Sequence, residues 1–398
     1  MSERPEPLPY PFTSDECLAL SPRYAELRAG PMPRVRLPYG EDAWLVTGYA
    51  DARQVLSDPR FSLKAGVDRD QPRVRPLSIS GVGLLSTDGA EHARLRGVVA
   101  RHFSARRVEQ LRGRVCEIAG ELLDRLEENG PPGDLVQDFA FPLAITLICD
   151  LLGVPDGDHH RIRRWLEVML AHTVTVEDFT DRSAAFGGYL TELVELRRRE
   201  PGDDLLTRLV RAHDEEGRLT HDELFELTAE LLSAGFITTY NQISNFCHLL
   251  LRRPQWLSRL RDHPDGIPAA VEELLRYVPM PNGLTFPRYA TEDVEVGGVL
   301  VRAGEPVLVD MSAANRDPAV YHDAESLVLD RVPQAPHLSF GHGAHFCVGA
   351  PLARLELQVA LETLLTRMPG LKPAVPDSEL RWKTEAMLRG LHALPVDW

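Results

Sequence analysis

Phe340-Gly341-His342-Gly343-Ala344-His345-Phe346-Cys347-Val348-Gly349 sets one cysteine in a glycine-rich loop, directly ahead of an apolar-periodic run over residues 350–366 that reads as a helix. A thiolate in that place sits where backbone N–H groups and the helix macrodipole favour negative charge. As S⁻ it can ligate a metal. The glycines let the backbone take positive φ and approach a flat ligand closely. The competing reading is a buried structural cysteine, the fate of most isolated ones.

Working outward, the chain has 398 residues, with Pro and Gly spread along it rather than gathered into a linker. It carries no repeat, no low-complexity tract and no long run of like charge, so residues 1–398 are expected to form a single domain. The 44 basic and 59 acidic residues give a net charge of −15, which argues against a general nucleic-acid binder. Five cysteines, Cys17, Cys116, Cys149, Cys247 and Cys347, show no CxxC or zinc-type spacing. An odd, scattered set suits reduced thiols in a cytoplasm better than a disulfide framework. The polar, proline-rich start lacks the apolar core of a signal peptide. No segment is expected to supply the roughly 20 apolar residues of a membrane span.

The periodicity predicts a mainly helical chain with small sheets. Short strands are expected at 35–37 and 44–47 around Tyr39-Gly40, then a helix over 49–57 stopped by Asp58-Pro59. Residues 61–87 read as a long irregular segment, a form usually functional or mobile. Helices are predicted over 91–102, 106–126, 141–152, 159–172 and 177–199. Thr220-x-x-Glu223 reads as a capping box opening the longest helix, to about residue 252. Pro268 opens another that ends before Pro279. Strands at 294–296 and 307–309 are expected to meet about the Gly297-Gly298 turn.

The cysteine loop matches Phe-Gly-x-Gly-x-His-x-Cys-x-Gly at every fixed position, and so resembles the haem-binding loop of the cytochrome P450 family. Other pieces share the resemblance. Glu273-x-x-Arg276 is similar to the family's Glu-x-x-Arg motif; an i, i+3 pair shares a helix face and can ion-pair. Arg331 stands where the family supplies the arginine that completes it, and Asn315-Arg316-Asp317-Pro318 matches the region between. The fold implied is mainly α with small β-sheets, haem lying between a long central helix and the cysteine-loop helix.

By resemblance, Cys347 is the iron ligand of haem b, and His92, Arg96, Arg288 and His345 face its propionates. Arginine suits that task because its planar fork binds carboxylates bidentately. Phe340, Gly341 and Gly349 shape the cofactor loop, and the N–H groups of Val348 and Gly349 are expected to point at the sulfur. Ala234-Gly235-Phe236-Ile237-Thr238-Thr239 is similar to the family's dioxygen-groove run, with Ala234, Gly235 and Thr238 as catalytic positions. Ile237 replaces the usual acid and has no proton to give; the plain alternative is helix packing. The substrate pocket implied draws on Val82, Leu85, Leu231, Ile237, Asn282, Leu284, Met387 and Leu388, with Thr285 a second polar anchor. Arg94, Arg101, His102, Arg106 and Arg107 form a basic cluster, either a solvated face or a landing patch for an acidic electron donor.

The resemblance is to soluble actinobacterial enzymes that tailor natural products. It implies a cytoplasmic, monomeric haem-thiolate monooxygenase, with no membrane anchor and no nucleic-acid partner. Such an enzyme hydroxylates or epoxidises a bulky small molecule such as a macrolide. It uses O2 and two electrons from a ferredoxin or flavodoxin. Two alternatives stay open: radical C–C or C–N coupling of aromatic substrates such as indole diketopiperazines, and a non-enzymatic haem sensor or carrier.

Overall fold

The chain is described from a computed structural model that covers all residues except 1–5, 13, 15–17, 77–82, 282, 284, 285 and 333. Its axis is the helix His221–Leu251, 31 residues long and hence about 46 Å. The capping box forms in full: Glu223 N donates to Thr220 Oγ1 at 3.2 Å, and Thr220 N to Glu223 Oε2 at 2.8 Å. Two orphan N–H groups of the first turn are thus satisfied. From Thr239 to Leu251 every residue is buried, polar ones such as Asn241, Gln242 and Asn245 included, so protein encloses this half of the helix on every side. Phe141–Leu152 and the cysteine helix Ala350–Arg367 pack on it, with Arg112–Asn129 against both.

A π-helical turn, Leu135–Ala140, runs directly into Phe141–Leu152. Together they make one 18-residue segment apolar and long enough to cross a membrane by length and composition, the single such helix among the described residues. The expectation of no such segment is corrected. Two thirds of it lies inside the protein, the burial of a core helix.

The main sheet is mixed and six-stranded, in the order Leu8–Pro9, Arg34–Arg36, Ala43–Val46, Pro306–Val309, Arg288–Ala290, Phe61–Ser62. At its centre Ala43–Val46 pairs in parallel with Pro306–Val309, Trp44 opposite Val307. This corrects the strand reading. Val294–Val296 pairs with Val299–Val301, not with 307–309. Gly297 and Gly298 both have positive φ, 55° and 76°. A two-residue hairpin turn of that kind fixes the next strand's start at once. Pro306–Val309 is left free to enter the main sheet.

Other boundaries shift locally. The predicted 106–126 helix is split into Ala105–Glu109 and Arg112–Asn129, and 159–172 ends at Met169. Leu205–Asp214 and Pro254–Asp262 are additional helices. Beneath the cysteine loop a buried ion cluster ties Ile267–Tyr277 to the segment ahead of the loop. Arg276 Nε and Nη2 donate to Glu273 at 2.7 and 2.8 Å, and Arg331 Nε reaches both Glu273 oxygens at 3.1 Å. Arg276 also donates to the carbonyls of Asn315, Ala324 and Ser326, all at 2.9 Å. Glu273 takes a further bond from Val328 N. A buried ion pair repays its desolvation only when its remaining hydrogen-bonding groups are satisfied, and here five donors converge on or leave this pair.

Candidate functional site

The cysteine loop is held by its own backbone. Cys347 N donates to Phe340 O at 2.8 Å, closing the loop on itself. Gly343, at φ 72°, passes so close to the end of helix Tyr49–Ser57 that a Cβ would lie 2.5 Å from Leu56 O. No other residue fits there. Gly341 also has positive φ. Gly349 then begins the cysteine helix, and the N–H groups of Gly349 and Ala350 bond the Cys347 sulfur. Val348 was expected in this pair; helix geometry aims the first N–H groups of the helix itself, so Ala350 takes that place.

Burial pushes the Cys347 thiol pKa up, while the Gly349 N–H, Arg96 and the Ala350 N–H pull it down. Yet Cys347 is exposed by its surface area. Its side chain is therefore reachable from solvent. Among the described residues no three His, Cys, Asp or Glu side chains are grouped to hold a metal ion. An iron on Cys347 therefore needs further ligands from a non-protein group, which is what a porphyrin brings.

Four basic side chains gather beside the loop. The rings of His92 and His345 lie 4.0 Å apart between centroids. His345 Nε2 bonds Asp88 Oδ1 at 3.0 Å. Burial raises the Asp88 carboxyl, but bonds from His345, Ser62 and Lys64 hold it well below the usual carboxylate range. Arg96 Nη2 donates to Phe346 O at 2.6 Å, tying the cysteine loop to helix Gly89–Val99. Arg288 is buried, and among the described residues its guanidinium makes a long 3.5 Å contact to Phe61 O. Burial brings its pKa down to about 10, and that of His92 to about 4 with help from His345 and Arg96. Buried cations short of acid partners are unfavourable unless a ligand brings the acids. The pair of carboxylates on haem fits this donor set.

The cysteine helix also packs on the long helix. Ala234 is exposed and Gly235 and Thr238 half-buried, although the helix around them is buried. Thr238 Oγ1 donates to Ala234 O at 3.0 Å. A Cβ on Gly235 would lie 2.4 Å from Ile148 Cγ1, so this glycine is also required for close helix packing. Ile237 is buried in the main apolar core, and its carbonyl accepts from Asn241 Nδ2 at 2.9 Å.

The other anticipated substrate positions scatter. Leu231, Met387 and Leu388 are buried, whereas Leu85 is 40% exposed. Backbone pairings join the C-terminal turn to two neighbours: Met387 N donates to Leu170 O, and Arg389 N to Met280 O. Val82, Asn282, Leu284 and Thr285 lie outside the described residues. In the basic cluster Arg101, Arg106 and Arg107 are exposed, but Arg94 is engaged. It ion-pairs with Glu223 at the start of the long helix and donates to Arg218 O at 2.6 Å.

Two features escaped the sequence reading. Tyr240 donates to Glu167 Oε1 at 2.6 Å and accepts from Lys383 Nζ at 2.7 Å. Glu230 on the long helix accepts from Leu84 N at 2.8 Å and Leu85 N at 3.3 Å. Both join residues distant in sequence, where no local pattern signals a partner.

The Cytochrome P450 family model matches residues 267–371. Mycinamicin IV hydroxylase/epoxidase of Micromonospora griseorubida is 50% identical over 395 residues, 99% of each chain. Nocardicin C N-oxygenase of Nocardia uniformis subsp. tsuyamanensis is 49% identical over 392 residues, 98% of each. The crystal structure of HinD with NMFT and NO superposes with a TM-score of 0.95 at 47% identity, covering 99% of this chain and all of the other.

Proposed function

The chain belongs to the cytochrome P450 family, and from that membership we propose that it is a haem-thiolate monooxygenase whose iron ligand is Cys347 and whose substrate is a bulky natural product. Its cofactor is haem b. The observation that supports the residue assignment is the Cys347 sulfur, solvent-accessible and bonded by two N–H groups at the start of its own helix. When bound, haem supplies reductive activation of dioxygen, with one oxygen atom going to substrate and the other to water.

The protein's own groups do the rest. The Gly349 and Ala350 N–H groups favour the sulfur's anionic form against burial and would tune how much electron density it donates to a bound iron. His92, Arg96, Arg288 and His345 would hold the propionates, and Phe340, whose carbonyl accepts the Cys347 N–H, would flank the cofactor. Ala234 and Gly235 leave room at the helix face. Thr238 Oγ1 keeps its proton on Ala234 O and can pass it on through water. The relatives' names support hydroxylation, epoxidation or N-oxygenation as the reaction class. Electrons would come from a ferredoxin or flavodoxin docking on the Arg101, Arg106 and Arg107 face of a cytoplasmic monomer. The ferrous–CO complex is expected to show the red-shifted Soret band of thiolate ligation, and Cys347→Ser to abolish it. A retained band in that variant would refute the ligand assignment. Turnover of macrolides under labelled dioxygen, with a surrogate redox partner, should add one labelled atom.

Ile237 favours a second reading. An apolar core residue where the family carries an acid suits a reaction that depends less on proton delivery, such as oxidative coupling of aromatic rings. Coupled product without label would support it. Ile237→Glu should then shift product toward hydroxylation.

A further inference from the structure

The described residues contain five buried arginines and lysines: Arg75, Arg276, Arg288, Arg316 and Lys383. Three have carboxylate partners. Arg276 pairs with Glu273 at 2.7 Å, Arg316 with Glu325 at 2.8 Å, and Lys383 with Glu167 at 3.5 Å. Arg288 has none among the described residues, and its place in the cofactor cluster accounts for that. Arg75 is the fifth. Its Nη1 donates to the Met169 carbonyl, and its guanidinium lies over the Phe179 ring at 5.0 Å. Burial alone lowers its pKa, with no acid acting on it. Asp178, beside Phe179, is turned to Thr175, whose hydroxyl lies 2.8 Å from Asp178 Oδ2 and whose Oγ1 accepts Asp178 N.

Arg75 lies next to residues that the resemblance assigns to the substrate pocket. Met169 ends helix His159–Met169, and Phe179 lies in the first turn of Val176–Arg199. The preceding residue, Val74, shares an apolar cluster with Met387, with Leu170 packed against it. A Cβ on Gly283 would lie 2.6 Å from Val74 Cγ1. Two helices thus meet at this guanidinium, and the C-terminal turn packs against the residue before it. A buried charge without a counter-charge is costly, and a planar fork is the form that receives a carboxylate. We propose that Arg75 is a specificity residue that binds a carboxylate on the substrate, so that this enzyme's natural product is an acid. The proposal rests on the monooxygenase reading above.

The test uses the haem-loaded protein and imidazoles bearing an ω-carboxyalkyl chain, in a ladder of tether lengths, each beside its methyl ester. Imidazole anchors at the iron and shifts the Soret band, and the tether carries the acid toward Arg75. The acid is expected to bind at least about tenfold more tightly than its ester at one or more lengths, as a charge-assisted bond should. Arg75→Gln should erase that preference and leave ester affinity within about twofold, a change too small for a lost bond. Arg75→Lys should keep part of the preference. Equal binding of acid and ester to the wild type at every length would overturn the proposal, and that comparison needs no variant. So would a preference that survives Arg75→Gln, or a variant that weakens acid and ester alike, which marks a structural pin. If imidazole itself gives no Soret shift, the monooxygenase reading fails first, so the two failures are distinguishable.

Discussion

Raising the pH is expected to loosen the loop carrying Leu84 and Leu85 from the long helix, through Glu230. Burial lifts that carboxyl to about 7; the Leu84 and Leu85 N–H groups pull it down, and Glu226 pushes it up. With the loop open, water solvates the acid and its pKa returns toward the ordinary 4.5. The closed form therefore binds the proton more tightly. Its advantage is full below about pH 4.5 and is lost as pH rises through about 7. At about 1.4 kcal/mol per pKa unit, the gap amounts to at most about 3.5 kcal/mol, or about 300-fold in the opening equilibrium. Amide hydrogen exchange of Leu84 and Leu85 reads this directly. After correction for the intrinsic rate, protection should fall between about pH 4.5 and pH 7, the interval between the two pKa values. In Glu230→Gln, which keeps one acceptor and no titration, protection should be flat with pH. Gly83 must stay glycine throughout, because a Cβ there would lie 2.3 Å from Glu230 Oε1. The same pH profile in wild type and Glu230→Gln would refute the reasoning.

Three further outcomes are expected. Glu356 on the cysteine helix is buried, one of its oxygens has no partner, and burial raises its pKa well above 4.5. Its contribution to stability is present below 4.5 and lost as pH rises, so Glu356→Gln should melt higher than wild type at neutral pH, and an unchanged or lower melting temperature would contradict it. Tyr240→Phe removes the hydroxyl between Glu167 and Lys383; it should cost about 1–3 kcal/mol in denaturant unfolding, and an unmoved midpoint would mean that water replaces it. Reversing Arg106 and Arg107 to glutamate should slow reduction by an acidic ferredoxin at low salt, whereas Arg94→Glu should act on stability through Glu223; equal reduction rates would remove the docking role.

Features set by local spacing were legible in the sequence. The capping box at Thr220 and Glu223, the Glu273 and Arg276 pair and the Cys347 loop each sit within one or two helical turns or one tight loop. Steric and hydrogen-bond rules act over just that range. What was not legible depends on partners far along the chain. Asp88 meets His345 257 residues away, and Lys383 meets Tyr240 across 143. The strand Pro306–Val309 was assigned to the wrong neighbour because the two-glycine turn ahead of it fits a nearer strand. The helix Leu205–Asp214 was missed although Asp204 caps it by accepting Thr207 N at 2.7 Å. Its capping signal lies within the acidic pair Asp203-Asp204, which reads as easily as a solvated turn.

The parallel pairing of Ala43–Val46 with Pro306–Val309 also sets a timetable. At the ribosome the first strand emerges about 260 residues before its partner, a wait of about 13 to 50 s at about 5–20 residues per second. Through that interval its four residues, all buried in the finished protein, lack the neighbour that covers them. Non-local pairings of this kind are slow to form and leave strand edges exposed meanwhile. The cysteine loop emerges only some 30 residues after the late strand. The sheet and the cofactor loop are therefore completed within seconds of each other, after most of the helices are already made.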